Sequence, residues 1–230
     1  MTRIRPVSGG GRAVEVTPER LAGWFARFAD RHHGVATTRT TATHVLVTAA
    51  DGATAEIAAA FDEFADVGES EGLAIAPLLA NATASRRLGL LLVRLGGHSL
   101  GIALDGEVVT STTDSRQVHG RNKAGGWSQQ RFARRREGQA RVALQAAAAD
   151  AARVLVPRVD ELDAVVLGGD KQALDALRSD RRLAPLFAKA SRRILDVPEP
   201  RRAVLDEAAQ RARSVEIIVR DRHTSSPESL

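Results

Sequence analysis

Residues 88–112 read LGLLLVRLGGHSLGIALDGEVVTST, and this stretch predicts the fold of the second half of the chain. Its apolar runs are separated by the turn pairs Gly96-Gly97 and Asp105-Gly106. Two-residue turns of these types connect neighbouring antiparallel strands. The stretch therefore predicts a three-stranded antiparallel meander, with strands at 88–95, 98–104 and 107–112.

Helices and strands alternate after the meander. Residues 129–156 contain neither Gly nor Pro apart from Gly138, and their apolar residues recur at helical spacing, which predicts one long helix. Strands are expected at 163–167, 193–197 and 215–219, and helices at 171–177, 183–188 and 201–213. Strands that alternate with helices after a meander indicate an α/β fold with a mixed sheet.

The chain before the meander predicts a small α+β unit. Thr17-Pro18-Glu19 is typical of a helix start, and the apolar residues that follow it have helical spacing. Asp51-Gly52 predicts a hairpin, and a helix around 73–79 is expected to be interrupted at Pro77. We therefore expect a flexible leader (1–12), the small α+β unit (13–84), an α/β domain (85–220) and a disordered tail (221–230).

Charge is distributed unevenly along the chain. The net charge is only +5, but residues 116–141 contain eight basic residues against the single acid Glu137. Such a local positive excess is typical of proteins that bind polyanions. The chain has no Cys and no apolar run long enough to cross a bilayer, so we expect a cytoplasmic protein without a membrane partner.

The most informative segment is residues 119–139, which read HGRNKAGGWSQQRFARRREGQ. Gly125-Gly126 permits backbone angles that other residues avoid. Gln129 follows shortly after, and the predicted basic helix begins there. A glycine tip on a positively charged stem suits insertion into an RNA cavity.

This segment resembles the tip of class-I release factors of the eukaryotic and archaeal type. That tip has the form H-G-R-G-G-Q and is followed by R-F-A-R and a basic helix. The corresponding residues stand in the same order in this chain, namely His119-Gly120-Arg121, Gly125-Gly126, Gln129 and Arg131-Phe132-Ala133-Arg134.

The spacing within the tip resembles the related Vms-like release factors, which are peptidyl-tRNA hydrolases of ribosome quality control with a bacterial branch. Their tip has the form Gly-x-x-Gln, and Gly126-Trp127-Ser128-Gln129 fits it. The resemblance runs from about Leu88 to Val219. It implies that the domain at 85–220 is a catalytic domain with the mixed-sheet fold of the release-factor central domain.

The resemblance also implies a mechanism and partners. In this family the loop enters the peptidyl-transferase centre of the large ribosomal subunit, where the glutamine positions water on the ester of peptidyl-tRNA. Gln129 is the expected catalytic residue, with Gly125 and Gly126 in the tip and with no metal or cofactor. The expected partners are large-subunit rRNA and a stalled peptidyl-tRNA. We expect the protein to act on this substrate without reading a codon, and to be a monomer.

The remaining residues of the segment are assigned supporting roles. Loop support is assigned to Trp127, Ser128, His119 and Gly120. RNA binding is assigned to Arg121, Lys123, Arg131, Arg134, Arg135 and Arg136. Two choices stay open, because Trp127 could be a packing staple or a base-stacking residue, and Gln130 is the alternative to Gln129.

Other functions are also open from the residues alone. Insertion of Trp127-Ser128 could have spoiled the tip, which would leave a non-hydrolytic ribosome- or RNA-binding rescue or assembly factor. A nuclease would use clustered carboxylates to hold a metal, and Asp160, Glu161 and Asp163 form only a short run that we expect to be solvated.

Two further features are given structural interpretations. Gly168-Gly169-Asp170 lacks the rest of a P-loop, so we predict an ordinary strand-to-helix turn there. The histidines His32, His33, His44 and His98 lack partners at metal-ligand spacing and are predicted to be cap or surface residues.

Overall fold

A computed structural model describes residues 3–94, 96–115 and 128–221, with the backbone alone for Ser115 and residues 128–137. The chain divides into two compact units. The first comprises the chain up to Ala84 together with the stretch that begins at Arg213, and the second is Ser85–Ala212.

The described part of the first unit contains one antiparallel sheet of seven strands, in the order β1-β2-β12-β5-β4-β3-β6. Its strands are β1 (Ile4–Pro6), β2 (Arg12–Val16), β3 (Val35–Thr40), β4 (His44–Ala49), β5 (Thr54–Ala58), β6 (Gly68–Glu71) and β12 (Val215–Arg220). Buried and partly exposed residues alternate along β4, as they do in a sheet with one covered face.

Among its described residues, the first unit has two α-helices, α1 (Leu21–Arg31) and α2 (Ala76–Thr83). Helix α1 follows a short 3-10 turn at Pro18–Arg20 and buries Leu21, Phe25 and Phe28. The predicted interruption at Pro77 is wrong. Pro77 lies in the first turn of α2, where its missing N–H and fixed φ are tolerated, so it begins the helix instead of breaking it.

The first sheet contains two elements that the sequence interpretation placed elsewhere. Strand β1 lies within the expected flexible leader and pairs with β2. Strand β12, expected in the catalytic domain of 85–220, instead pairs antiparallel with both β2 and β5, with Ile217 opposite Val14 and Ile57. The alternation of apolar residues marks β12 as a strand but does not identify its partners.

His32 is the C-cap residue of α1, which confirms one of its two predicted roles, and its side chain is buried instead of lying on the surface. Its Nδ1 lies 2.8 Å from Asp51 Oδ2, and its ring packs on Phe28 with the centroids 4.6 Å apart. A carboxylate from the Asp51-Gly52 hairpin therefore partners this histidine within the first unit.

The described part of the second unit contains a mixed sheet of five strands, in the order β11-β10-β7-β8-β9. Its strands are β7 (Arg87–Arg94), β8 (Gly97–Leu104), β9 (Glu107–Ser115), β10 (Ala164–Gly169) and β11 (Ala190–Leu195). Strands β7, β8 and β9 form the predicted antiparallel meander, and β10 pairs parallel with β7 and β11. The predicted α/β fold with a mixed sheet is confirmed.

The turn between β8 and β9 shows why the sequence predicted this meander. Asp105 and Gly106 both have positive φ, 51° and 88°. A type I′ hairpin turn requires positive φ at both central residues, and Asp-Gly adopts it readily.

The described part of the second unit also contains four α-helices, namely α3 (Ser128–Val154), α4 (Lys171–Arg178), α5 (Ala184–Ala188) and α6 (Arg202–Arg213). Helix α3 packs against β8 through small side chains, of which Ala147 and Ala151 are fully buried. Alanine lets the helix backbone approach the sheet closely. The position of α3 is therefore fixed by its carboxyl-terminal half.

Candidate functional site

The two ends of the predicted glycine loop are attached to well-defined elements. Strand β9 ends at Ser115 and α3 begins at Ser128. The predicted site residues between them lie outside the described residues, namely His119, Gly120, Arg121, Lys123, Gly125, Gly126 and Trp127. The structure therefore defines the strand before the loop and the helix after it.

The backbone of Gln129 lies in the first turn of α3, which begins one residue earlier than predicted. The first N–H groups of a helix have no partner within it, and the helix dipole makes this end positive. The first turn of α3 contains no acidic residue. A glutamine here lies beside backbone donors that can stabilise negative charge.

The predicted RNA-binding arginines of α3 also belong to its amino-terminal turns. Their backbones are helical and their side chains are not described, which applies to Arg131, Arg134, Arg135 and Arg136. Ser128 is the first residue of the helix. Among the described side chains of α3, Arg141 and Val142 are exposed, and full burial begins at Ala143.

A buried polar contact joins α3 to the meander. His98 on β8 is only 1% exposed, and its Nε2 lies 2.9 Å from Asp150 Oδ2 on α3. Arg153 Nη2 donates to the other oxygen of Asp150 at 2.7 Å. The prediction that His98 is a cap or surface residue is therefore wrong. The nearby apolar run of β8 was the available signal that this histidine is buried.

The carboxylate of Asp150 is ionised over a wider pH range than an ordinary aspartate. Partial burial raises its pKa, but hydrogen bonds from Arg153 and His98 outweigh that effect and the net result is a lowered pKa. The charged form is thus the one that holds α3 to β8.

Strand β9, which leads into the loop, is held by side-chain hydroxyl groups. The Oγ atom of Ser99 and the Oγ1 atom of Thr113 are 2.6 Å apart, and Arg202 Nη1 donates to Ser111 Oγ at 2.7 Å. The register between β8 and β9 shifts near Val109, where two residues of β9 face one of β8. A bulge of this kind changes the direction of a strand.

Two of the three acids that a nuclease would use to hold a metal, Glu161 and Asp163, have structural partners instead. Asp163 Oδ2 accepts a hydrogen bond from the Arg87 backbone N–H at 2.7 Å, and Glu161 forms an exposed ion pair with the Arg87 side chain at 3.4 Å. Within the described ranges, no group of three or more His, Cys, Asp or Glu residues could hold a metal ion.

The segment at Gly168-Gly169-Asp170 forms the predicted strand-to-helix turn. Gly169 has a φ of +101°, and Asp170 caps α4 by accepting a hydrogen bond from the Gln172 N–H at 3.0 Å. In the part of the chain that is described, no helix is both long and apolar enough to cross a membrane.

Comparisons with known proteins bear on the second unit. A family model described as "Actinobacteria/chloroflexi VLRF1 release factor" matches residues 86–218, a range that includes the loop and all of α3. No curated protein matches the chain.

Two solved structures have distant similarity to the chain. One is the crystal structure of the archaeal translation termination factor aRF1, with 12% identity, a TM-score of 0.38 and coverage of 86% of this chain and 73% of that one. The other is described only as an archaeal protein, with 12% identity, a TM-score of 0.37 and coverage of 70% and 48%.

Proposed function

Because this chain belongs to the Actinobacteria/chloroflexi VLRF1 release factor family, and is therefore a translation release factor, we propose that it hydrolyses the ester bond of peptidyl-tRNA. In this proposal the loop between β9 and α3 enters the peptidyl-transferase centre of the large ribosomal subunit. Gly125 and Gly126 form its tip, and Gln129 acts on the ester.

The observation that supports this proposal most directly is the place of Gln129 at the start of α3. In this proposal the Gly126-Trp127-Ser128-Gln129 motif joins the predicted loop to α3, whose far half is packed on the sheet. A residue at that junction combines the reach of a loop with the support of a packed helix. Trp127, Ser128, His119 and Gly120 would support the loop around it.

The proposed ester hydrolysis needs no ionisable side chain from this protein. A glutamine amide can donate and accept hydrogen bonds at neutral pH, so Gln129 can orient the attacking water. The N–H groups of the first helical turn can stabilise the oxyanion that develops on the carbonyl oxygen. Positioning of water can lower the barrier by about 7–11 kcal/mol, and one donor aimed at an oxyanion contributes about 3 kcal/mol.

Binding to the ribosome would come from the basic segment around the loop. Arg121, Lys123, Arg131, Arg134, Arg135 and Arg136 would contact phosphates of rRNA or tRNA, since arginine forms forked hydrogen bonds with phosphate. A release factor meets its substrate where ribosomes translate, so we propose a cytoplasmic location. We also propose that the protein acts as a monomer without a cofactor.

The substrate we propose is a stalled peptidyl-tRNA on a large subunit, released without regard to the codon. The first unit contains no motif that we associate with codon reading. The family match covers residues 86–218, so the first unit lies outside it apart from residues 213–218, which include most of strand β12.

One feature of the loop favours a second function. Trp127 and Ser128 separate the second glycine from Gln129, and this longer tip could hold the glutamine away from the ester. The protein would then occupy the large subunit as a non-hydrolytic rescue or assembly factor.

The test is single-turnover peptide release from purified large subunits that carry peptidyl-tRNA, together with a pelleting assay for binding. Gln129→Ala should slow release by about 100- to 1000-fold, the cost of one lost oxyanion or water contact. Its affinity for the subunit should hardly change. The matched control is Gln145→Ala, an exposed glutamine in the anchored half of α3, which should release peptide at the wild-type rate.

Gln130→Ala decides between the neighbouring glutamines. Adjacent residues of a helix point about 100° apart, so only one of them can face the ester. We expect a mild effect at Gln130. A defect at Gln130 in place of Gln129 would shift the assignment by one residue, and a wild-type protein that binds but releases nothing would support the non-hydrolytic factor.

A further inference from the structure

The arginines of the first unit fall into two groups. Six of those described have an interaction partner, namely Arg3, Arg5, Arg12, Arg39, Arg213 and Arg220. Within the described residues, the side chains of Arg20, Arg27 and Arg31 have no hydrogen-bond or ion-pair partner. All three lie on α1 or at its first turn, and all three are exposed.

These three arginines share one face of the helix. Their spacings are seven and four residues, which at about 100° per residue keeps them within roughly 40° of one another. With a rise of about 1.5 Å per residue, they extend over about 17 Å of the helix. We call Arg20, Arg27 and Arg31 the arginine stripe.

Little in the neighbourhood competes for the stripe. The guanidinium of Arg27 lies over Gly23, with its Nη1 3.4 Å from the place where a Cβ of residue 23 would be. Asp30 is the acid of α1, and it forms no ion pair with the stripe in the described structure. The neighbouring helix α2 has no charged residue. Glu19, which precedes Arg20, is paired with Arg213 at 3.2 Å. Within the described residues the stripe is therefore a row of guanidinium groups that form no ion pair.

The helix offers no means of inserting into a lipid surface. Its large apolar side chains Leu21, Phe25 and Phe28 are buried in the core of the first unit. None of the exposed large apolar residues of the described structure lies on α1. A helix that lies in a membrane interface needs such residues on its outer face, so a membrane is an unsuitable partner.

An aromatic ring lies beside the stripe and is held rigidly. Trp24 is half-buried, stacks on Phe28 with the centroids 5.6 Å apart and an interplanar angle of 11°, and meets Phe25 edge-on at 4.9 Å. No described residue accepts a hydrogen bond from its indole N–H. Indole and guanidinium groups side by side are suited to nucleic acid, which presents phosphates, hydroxyls and bases together.

We infer that the arginine stripe binds the phosphate backbone of rRNA, which would make the first unit a second RNA-binding element of this protein. Arginine is suited to this because its planar group forms forked hydrogen bonds with phosphate. A regularly charged strand can contact three guanidiniums arranged in a row. The identity of the RNA as ribosomal rests on the proposed function.

The test compares two full-length variants with the same change in net charge. The first is Arg20→Gln/Arg27→Gln/Arg31→Gln. The matched control is Arg5→Gln/Arg39→Gln/Arg220→Gln, which removes two exposed arginines and the partly exposed Arg220, all of which already have acidic partners. Neither set carries core packing, and circular dichroism together with the melting temperature establishes that both variants fold.

Binding is measured over a series of salt concentrations with naked large-subunit rRNA, intact large subunits and phosphatidylglycerol vesicles. Loss of three phosphate contacts should reduce the slope of log affinity against log salt by about two to three units. Between 50 and 200 mM salt, the wild-type protein should therefore lose about 20- to 40-fold more affinity for rRNA than the stripe variant does. The matched control should follow the wild-type protein.

Several results would overturn the inference. One is a stripe variant whose salt slope for rRNA binding equals that of the wild-type protein. Another is a matched control whose slope falls as much as that of the stripe variant. A third is binding that depends on the stripe with vesicles but not with rRNA. A dependence seen only with intact subunits would indicate a ribosomal protein as the partner and would also overturn it. Peptide release is measured separately. If the wild-type protein releases no peptide but the stripe variant has a smaller salt slope with rRNA, the proposed function fails while the inference stands. If the wild-type protein releases peptide but the stripe variant keeps the wild-type slope, the inference fails while the proposed function stands.

Discussion

The imidazole Nε2 of His98 lies 2.9 Å from Asp150 Oδ2, and this contact joins the middle strand of the meander to the helix that follows the candidate loop. His98 is 1% exposed and the Asp150 side chain is 22% exposed. Removal of either side chain would leave the other without its hydrogen-bond partner, and a buried polar group without a partner destabilises the folded state.

Loss of the Asp150 carboxylate should therefore destabilise the fold. Asp150→Ala leaves a buried imidazole without its acceptor, and we expect the free energy of unfolding to fall by about 1–3 kcal/mol. Urea denaturation measures this change. Arg153→Ala is the control, because it removes only an exposed donor to the same carboxylate and should cost less than about 1 kcal/mol. Equal stability of Asp150→Ala and wild type would mean that the contact does not hold α3.

The same carboxylate predicts a pH dependence of stability. The pKa of Asp150 is lowered in the folded protein, so its stabilising effect is complete above the pKa of the unfolded chain and is lost as pH falls through the folded value. Thermal melts of wild type and Asp150→Asn should differ by a constant amount above about pH 5. The difference should shrink below about pH 4, and a difference that grows there would contradict the assignment.

Replacement of two glycines by alanine should have opposite effects on the stability of the protein. A Cβ on Gly101 of β8 would collide with the Thr110 carbonyl oxygen of β9 and press on Leu205. Gly101→Ala should lower the free energy of unfolding by about 1–3 kcal/mol. A Cβ on Gly138 in α3 would meet nothing within 4 Å. Gly138→Ala should therefore raise the free energy of unfolding by about 0.5–1 kcal/mol. Chemical denaturation of both variants checks the pair, and destabilisation by Gly138→Ala would show a contact outside the described residues.

The amino-terminal turns of α3 predict a salt effect on ribosome binding. Arg131→Ala/Arg134→Ala/Arg135→Ala should weaken binding to large subunits and lower the salt slope by about two to three units, because each lost phosphate contact contributes about 0.7–0.9. The charge-matched control is Lys171→Ala/Arg181→Ala/Arg192→Ala, three exposed residues elsewhere in the second unit. If both triple variants bind alike, the basic turns of α3 are merely solvated.

The second unit was predictable because its signals are local. The Asp105-Gly106 turn, the apolar runs beside it and the long helix without internal Pro each determine structure within a short stretch of chain. Strand β6 was missed because all its residues are exposed and polar, so that no alternation marks it. The partners of β12 were missed because pairing joins residues about two hundred positions apart, as for Val14 and Ile217.

The candidate site was only partly accessible to the same reasoning. The order of residues around Gln129 was enough to indicate the family, and the family match covers that segment. The contact between His98 and Asp150 could not be predicted, since it depends on how α3 crosses the meander. Roles for Gln129 and for the loop glycines remain predictions that the release assay tests.

Pairing of β12 with β2 and β5 has a consequence for the order in which the protein can fold during its synthesis. The second unit is continuous in sequence and is finished when Ala212 has been made. The first sheet, although most of it is made earlier, stays in two pieces until residues 215–220 arrive to lie between β2 and β5. A messenger RNA truncated shortly before the codons for residues 215–220 would yield a chain with an intact second unit. The edges of β2 and β5 would be unpaired in that chain, and such edges are sites of aggregation and proteolysis.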